Sequence, residues 1–291
     1  MGKNIDFHVH PTESELWIDS TGPLAPAIAR NEKIRNRFIK PIERVAAEYR
    51  ASNTIGVLLA WDAEAGTGLV RYPNKRVADI VRAYPDVFVG FASVDPWKGK
   101  MAISEMKRAV EEHGMKGVKF QQGAQAFYPN DHRFYPLWDA CERANVPVLF
   151  HTGTTGIGAG LDGGGGIKLD HMRPIPYIDD VAADFPRLKI VCAHVSWPWE
   201  DEMLAIARHK RNVYIDLSGE LPSRMPQRWK EMLSGPLKTK FLFGTDYPVI
   251  GPKAWLDDFR TMGIDDETAR LVLSGNAMGI LNLDREAGGT R

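Results

Sequence analysis

The chain has 291 residues, 44% hydrophobic and 25% charged, and its 37 basic and 37 acidic side chains cancel to a formal net charge of zero. This is ordinary globular composition, with no basic footprint for nucleic acid. The two cysteines, Cys141 and Cys192, are far apart and outside any CxxC, which argues against a disulfide framework or a thiolate zinc site and fits a reducing compartment.

The start, MGKNIDFHVH, lacks the apolar core of a secretory signal, and no stretch is long enough to cross a bilayer. The expectation is a cytoplasmic protein that engages neither membrane nor nucleic acid. Short apolar runs then recur along the chain: NIDFHVH (4–10), TIGVLLAWD (54–62), VFVGFASVD (87–95), GVKFQQG (117–123), VPVLFHTGT (146–154), LKIVCAHVS (188–196), VYIDLSG (213–219) and FLFGTDYP (241–248). Each is apolar at its start and polar at its end. Amphipathic stretches such as NKRVADIVRAY, MAISEMKRAVEEHG and WEDEMLAIARHK lie between them. Eight strands alternating with helices predict an α/β fold, a single (β/α)8 TIM barrel formed by residues 1–291. A doubly wound open sheet is the rival, but HVHPTES after the first strand carries no glycine fingerprint.

In such a barrel the strand ends share one rim, so residues distant in sequence converge there. His8 and His10, one residue apart on a strand, point to the same side. Lys119, His151, His194 and Asp246 end the fourth, fifth, sixth and eighth strands. Singly, each has a bland reading: His151 as a loop cap, His194 as a satisfied buried imidazole, Asp246 as a turn residue before Tyr-Pro. Together, histidines and one aspartate suit zinc, iron or manganese, with a position left for water or substrate. His113, His132, His171 and His209 lie on helices or loops and read as solvated. The glycine-rich stretch 156–166 and the insertion 11–33 leave the same face and could cap a pocket.

DFHVHP (6–11), GVKF (117–120), FYPNDHRFYPLWDAC (127–141), VPVLFHTGTTG (147–156), PRLKIVCAHVSWPW (186–199), NVYIDLSG (212–219) and FLFGTDYPV (241–249) resemble, in order and over nearly the whole chain, the amidohydrolase superfamily. The branch they are most similar to includes aminocarboxymuconate semialdehyde decarboxylase-like proteins. The resemblance implies one divalent metal, zinc first and manganese or iron as alternatives, held by His8, His10, His151 and Asp246. It implies His194 and Asp246 as the catalytic pair that moves protons.

Lys119 has three readings: an amine reaching a substrate carboxylate, a carboxylated bridge between two metals as in other branches, or a lysine pointing out between helices. Arg173 is a candidate substrate anchor, with a surface ion pair as its alternative. Arg30, Arg35 and Arg37 could clamp a carboxylate. Trp197 and Trp199 either line the pocket or pack beside it. The expected activity is a metal-dependent hydrolase acting on an ester, lactone, amide or activated C–C bond. The alternative is a nonoxidative decarboxylase of an aromatic or dienoic acid. A small carboxylate or carbonyl substrate follows from both, and Trp17 and Tyr128, read as exposed, leave room for a homo-oligomer.

Overall fold

The computed structural model describes residues 2–25, 35–36 and 38–283. Its strands are β1 (Asn4–Val9), β2 (Thr54–Leu58), β3 (Phe88–Gly90, resuming after Phe91 as Ala92–Ser93), β4 (Val118–Phe120), β5 (Val148–His151), β6 (Ile190–Ala193), β7 (Val213–Asp216) and β8 (Phe241–Leu242). Every one falls inside an apolar run of the sequence, and every pairing is parallel in chain order. The ladders form a three-stranded and a six-stranded arc. At the break in β3, Phe91 N–H still donates to the Leu58 carbonyl at 3.0 Å and Ala92 N–H to that of Gly117 at 2.8 Å. At the other seam, Phe7 N–H donates to the Phe243 carbonyl at 2.8 Å and Tyr247 N–H to that of His8 at 3.2 Å. These bonds tie the arcs into the expected barrel.

Helices wrap the ring with one apolar face inward. The helix Lys100–Glu111, for example, buries Ala102, Met106 and Ala109, which recur at helical spacing. Strand parity divides the core in two. Ile5, Phe7, Val57, Leu59, Leu149, Val191, Ala193 and Leu242 fill the interior, with Ala277, Ile280 and Leu281 of the last helix packed into the same cluster. Alternate residues such as Val148, Phe150, Ile190 and Cys192 face the helices. Lys119 pairs in register with Leu149, and Leu149 with Val191, so the lysine points into the barrel, not out between helices.

Parity alone would misplace several functional side chains, and three local devices correct it. Ile5 and Phe7 face the interior, so strict alternation would send His8 and His10 outward. The register slips, however: Asp6 lies opposite Gly56 but Val9 opposite Leu58. The extra residue is a bulge that reverses the parity, so both histidines reach the mouth and Val9 packs outside with Tyr49 and Ala46. The His8 N–H, displaced from the ladder, is taken by Asp6 Oδ1 at 3.1 Å. The other two devices are left-handed backbone at His194 (φ 73°) and Asp246 (φ 59°), conformations a residue with a side chain adopts at a cost of about 1–2 kcal/mol. They follow strands β6 and β8 and turn both side chains toward the cavity.

Candidate active site

Four imidazoles and one carboxylate converge at the barrel mouth, and the partner of each ring fixes which nitrogen carries hydrogen. His8 Nδ1–H donates to Asp216 Oδ2 at 2.7 Å. His10 Nδ1–H donates to the Leu59 carbonyl at 3.0 Å. His151 uses Nε2–H, toward the Thr154 carbonyl at 3.0 Å, and His194 uses Nδ1–H, toward the Ser218 carbonyl at 3.1 Å. The remaining nitrogens are bare and face inward. His8 Nε2 lies 3.4 Å and His10 Nε2 3.1 Å from Asp246 Oδ1, and His151 Nδ1 lies 3.2 Å from His194 Nε2.

Acceptors thus face acceptors, and such gaps close only around a cation, either shared protons or a metal ion. Burial decides against protons. It depresses the pKa of the His8, His151 and His194 imidazoles, and the Lys119 charge pushes the same way. Burial alone would raise the Asp246 carboxyl. The His10, His8 and His194 imidazoles around it outweigh that and hold the carboxyl well below the usual range. The donor set fits a divalent ion. One donor atom each from His8, His194 and Asp246 lies within 4.8 Å of the others, so His194 stands with two of the four residues read as ligands, while His10 and His151 fall outside that tight group.

Above this floor opens a cavity of about 500 Å³. His8, His10, His151, His194, Asp246 and Lys119 line its base, and Trp17, Phe38, Trp61, Ile157 and Val249 line its walls. Trp17 stacks on His10 with ring centroids 4.6 Å apart and meets Trp61 at 4.5 Å. Lys119 is 1% exposed, and its ammonium has no hydrogen-bond partner among the described residues. Burial lowers its pKa to about 8 against the pull of the Asp246 and Asp216 carboxylates. Lys119 is thus an interior cation that faces the cavity.

Several expectations change. Arg173 is not among the lining residues; its guanidinium grips Glu202, Nη2 to Oε1 at 2.7 Å, so the surface ion pair is the reading the geometry supports. Trp17 is buried, not an exposed oligomer contact. His171 is buried against Tyr128, not solvated. Arg35 pairs with Glu15, while Arg30 and Arg37 lie outside the described residues. Trp197 and Trp199 do not line the cavity.

Sequence reasoning also missed Asp216 and Ser218. Asp216 orients His8 and accepts the Ser218 hydroxyl at 2.9 Å, and burial raises its carboxyl to about 6. The signal was present: VYIDLSG ends its strand on an aspartate just as FLFGTDYP places one beyond its own.

The amidohydrolase family profile matches residues 5–283. The 2-amino-3-carboxymuconate-6-semialdehyde decarboxylase of Dictyostelium discoideum is 23% identical over 115 residues, a match spanning 39% of this chain and 32% of that protein. The gamma-resorcylate decarboxylase of Polaromonas sp. (strain JS666 / ATCC BAA-500) is 21% identical over 98% of this chain and 100% of its own length. Among solved structures, a TIM-barrel protein from Bordetella bronchiseptica superposes with a TM-score of 0.75 at 26% identity, covering 96% of this chain and 98% of that one. A dihydroxybenzoic acid decarboxylase from Polaromonas sp. JS666, with bound manganese and the inhibitor 2-nitroresorcinol, gives 0.74 at 19% identity and full coverage of both chains.

Proposed function

The chain belongs to the amidohydrolase family, and from that premise we propose that it is a divalent-metal-dependent, nonoxidative decarboxylase of a small hydroxylated aromatic acid. The observation that carries this reading is the acceptor-rich centre opening into a cavity lined by an indole pair and, at its base, by the Lys119 ammonium, which has no hydrogen-bond partner among the described residues. The names of the relatives support it: two curated relatives and one solved neighbour are decarboxylases, and that neighbour holds manganese. The sequence alone leaned toward hydrolysis, and these relatives move the balance to release of CO2.

In this reading His8, His10, His151 and Asp246 hold the ion, with His194 beside them. Zinc, manganese and iron all suit two-electron donors of this kind, and manganese is the first to try. When bound, the ion supplies Lewis acidity toward substrate oxygens. Trp17 and Trp61 pack the planar ring and keep water from it. Lys119 receives an oxyanion of the acid. The C–C bond to the carboxyl group breaks, its electron pair stays on the ring carbon, and that carbon takes a proton carried by His194 or Asp246 as CO2 leaves.

The test is product analysis. Protein reconstituted with manganese or zinc is incubated with mono- and dihydroxybenzoates, with dienoic acids, and with aryl esters and lactones. CO2 with the matching phenol is the expected result. A new acid formed from an ester or lactone, with no CO2 from any substrate, would assign hydrolysis instead.

A further inference from the structure

Strand β4 ends at Phe120, whose partner on β5 is Phe150, and the chain then turns into a short helix, Gln122–Gln125. β5 runs one residue further, to His151, where β4 has no backbone left to pair with it. The Gln122 side chain takes that place. Its Oε1 accepts the His151 N–H at 3.0 Å and its Nε2 donates to the His151 carbonyl at 3.0 Å. One amide thus makes both bonds that a neighbouring strand would make. Gln122 is wholly buried, and on the far edge His151 pairs with Ala193 of β6. With the backbone held on both edges and Nε2 tied to Thr154, the ring has one nitrogen left, Nδ1, and it faces the centre.

Gln125, three residues on, is a natural control. It is equally buried, and its Nε2 donates to the Asp62 carbonyl at 2.7 Å and the Val94 carbonyl at 2.9 Å. Its Oε1 accepts the Gln121 N–H at 2.9 Å. It ties together the ends of β2, β3 and β4 and bonds to none of the inferred metal ligands.

We propose that Gln122 is a positioning residue: its amide stands in for the missing end of β4 and locks His151 so that Nδ1 stays aimed at the metal centre. This rests on the reading of the site as a divalent-cation centre. Groups that orient a ligand in this way contribute about 10–100-fold to metal affinity.

The test is a Mn2+ titration of metal-free wild type, Gln122→Met, Gln122→Glu and Gln125→Met, with free Mn2+ counted by electron paramagnetic resonance. Thermal unfolding of each metal-free protein is recorded alongside. The expected result is a Kd raised about 10–100-fold in Gln122→Met. Gln125→Met should stay within about threefold of wild type while losing a similar amount of thermal stability. Gln122→Glu keeps the acceptor for the His151 N–H but opposes its carbonyl with a second acceptor. It too should bind weakly, and it decides the matter if the methionine variant does not fold. Wild-type affinity in the Gln122 variants, or equal weakening in Gln125→Met, overturns the proposal. A wild type that takes up no Mn2+ is a separate outcome and overturns the metal reading beneath it.

Discussion

The floor and the roof of the cavity are built by different physics. The floor is polar and over-determined. Four imidazoles each have one nitrogen bonded to a fixed acceptor: Asp216, or the carbonyl of Leu59, Thr154 or Ser218. Asp6 ties β1 to the segment that carries Asp246, accepting Thr245 N–H at 2.9 Å and the Thr245 hydroxyl at 2.6 Å. The roof is held by backbone shape. In the stretch 156–166, Gly163, Gly164 and Gly165 adopt φ of 57°, 64° and 62°, and a Cβ on Gly158 would sit 2.1 Å from the Gly164 carbonyl oxygen. One backbone bond, Gly158 N–H to the Leu24 carbonyl at 2.6 Å, joins this loop to the segment that follows Trp17. The floor therefore sets which chemistry is open to the site, and the roof sets which molecule fits.

If that division is right, substitutions in the two regions separate by readout. The largest effect is expected at the floor: Asp246→Asn or His8→Asn should abolish metal retention and lower turnover by at least about three orders of magnitude, seen by elemental analysis and CO2 release. Asp216→Asn replaces the carboxylate shared by His8 and Ser218 with a neutral amide and should weaken metal binding about 10–100-fold. Lys119→Met should leave metal content unchanged and lower kcat/KM about 10–100-fold, the worth of a charge-assisted hydrogen bond to substrate. Loss of metal in that variant would instead place the lysine among the groups that hold the centre.

At the roof, Gly164→Ala meets no atom within 4 Å, so only its left-handed backbone resists the change, at about 1–2 kcal/mol. It should raise KM severalfold with metal content intact. The smallest effect concerns pH. Protons and metal compete for the same lone pairs. Three imidazoles titrating near 6.5 would weaken binding about sixfold between pH 7.5 and 6.5. Burial holds the folded His8 and His151 pKa values well below that, so the measured Kd should change by less than about threefold.

The eight strands and the convergence of His8, His10, His151, His194 and Asp246 were legible because both depend on period and position along the chain. The face of Lys119 was not, since a strand's alternation shows which residues share a side but not which side is the interior; pairing with Leu149 decided it. The two histidines of DFHVHP share a face as read, yet they reach the mouth only through a bulge that no local residue pattern announces. Trp17 was misread as exposed because burial under a loop is a tertiary fact. Gln122 was invisible for a related reason: its role comes from where β4 stops relative to β5.

The most direct test of the central claim, that four imidazoles and Asp246 form an acceptor-only centre for one divalent ion, is elemental analysis of the purified protein and of Asp246→Asn. The account predicts about one equivalent of manganese, zinc or iron in the wild type and a marked loss in the variant. No metal in the wild type, even after reconstitution with manganese or zinc, would contradict it.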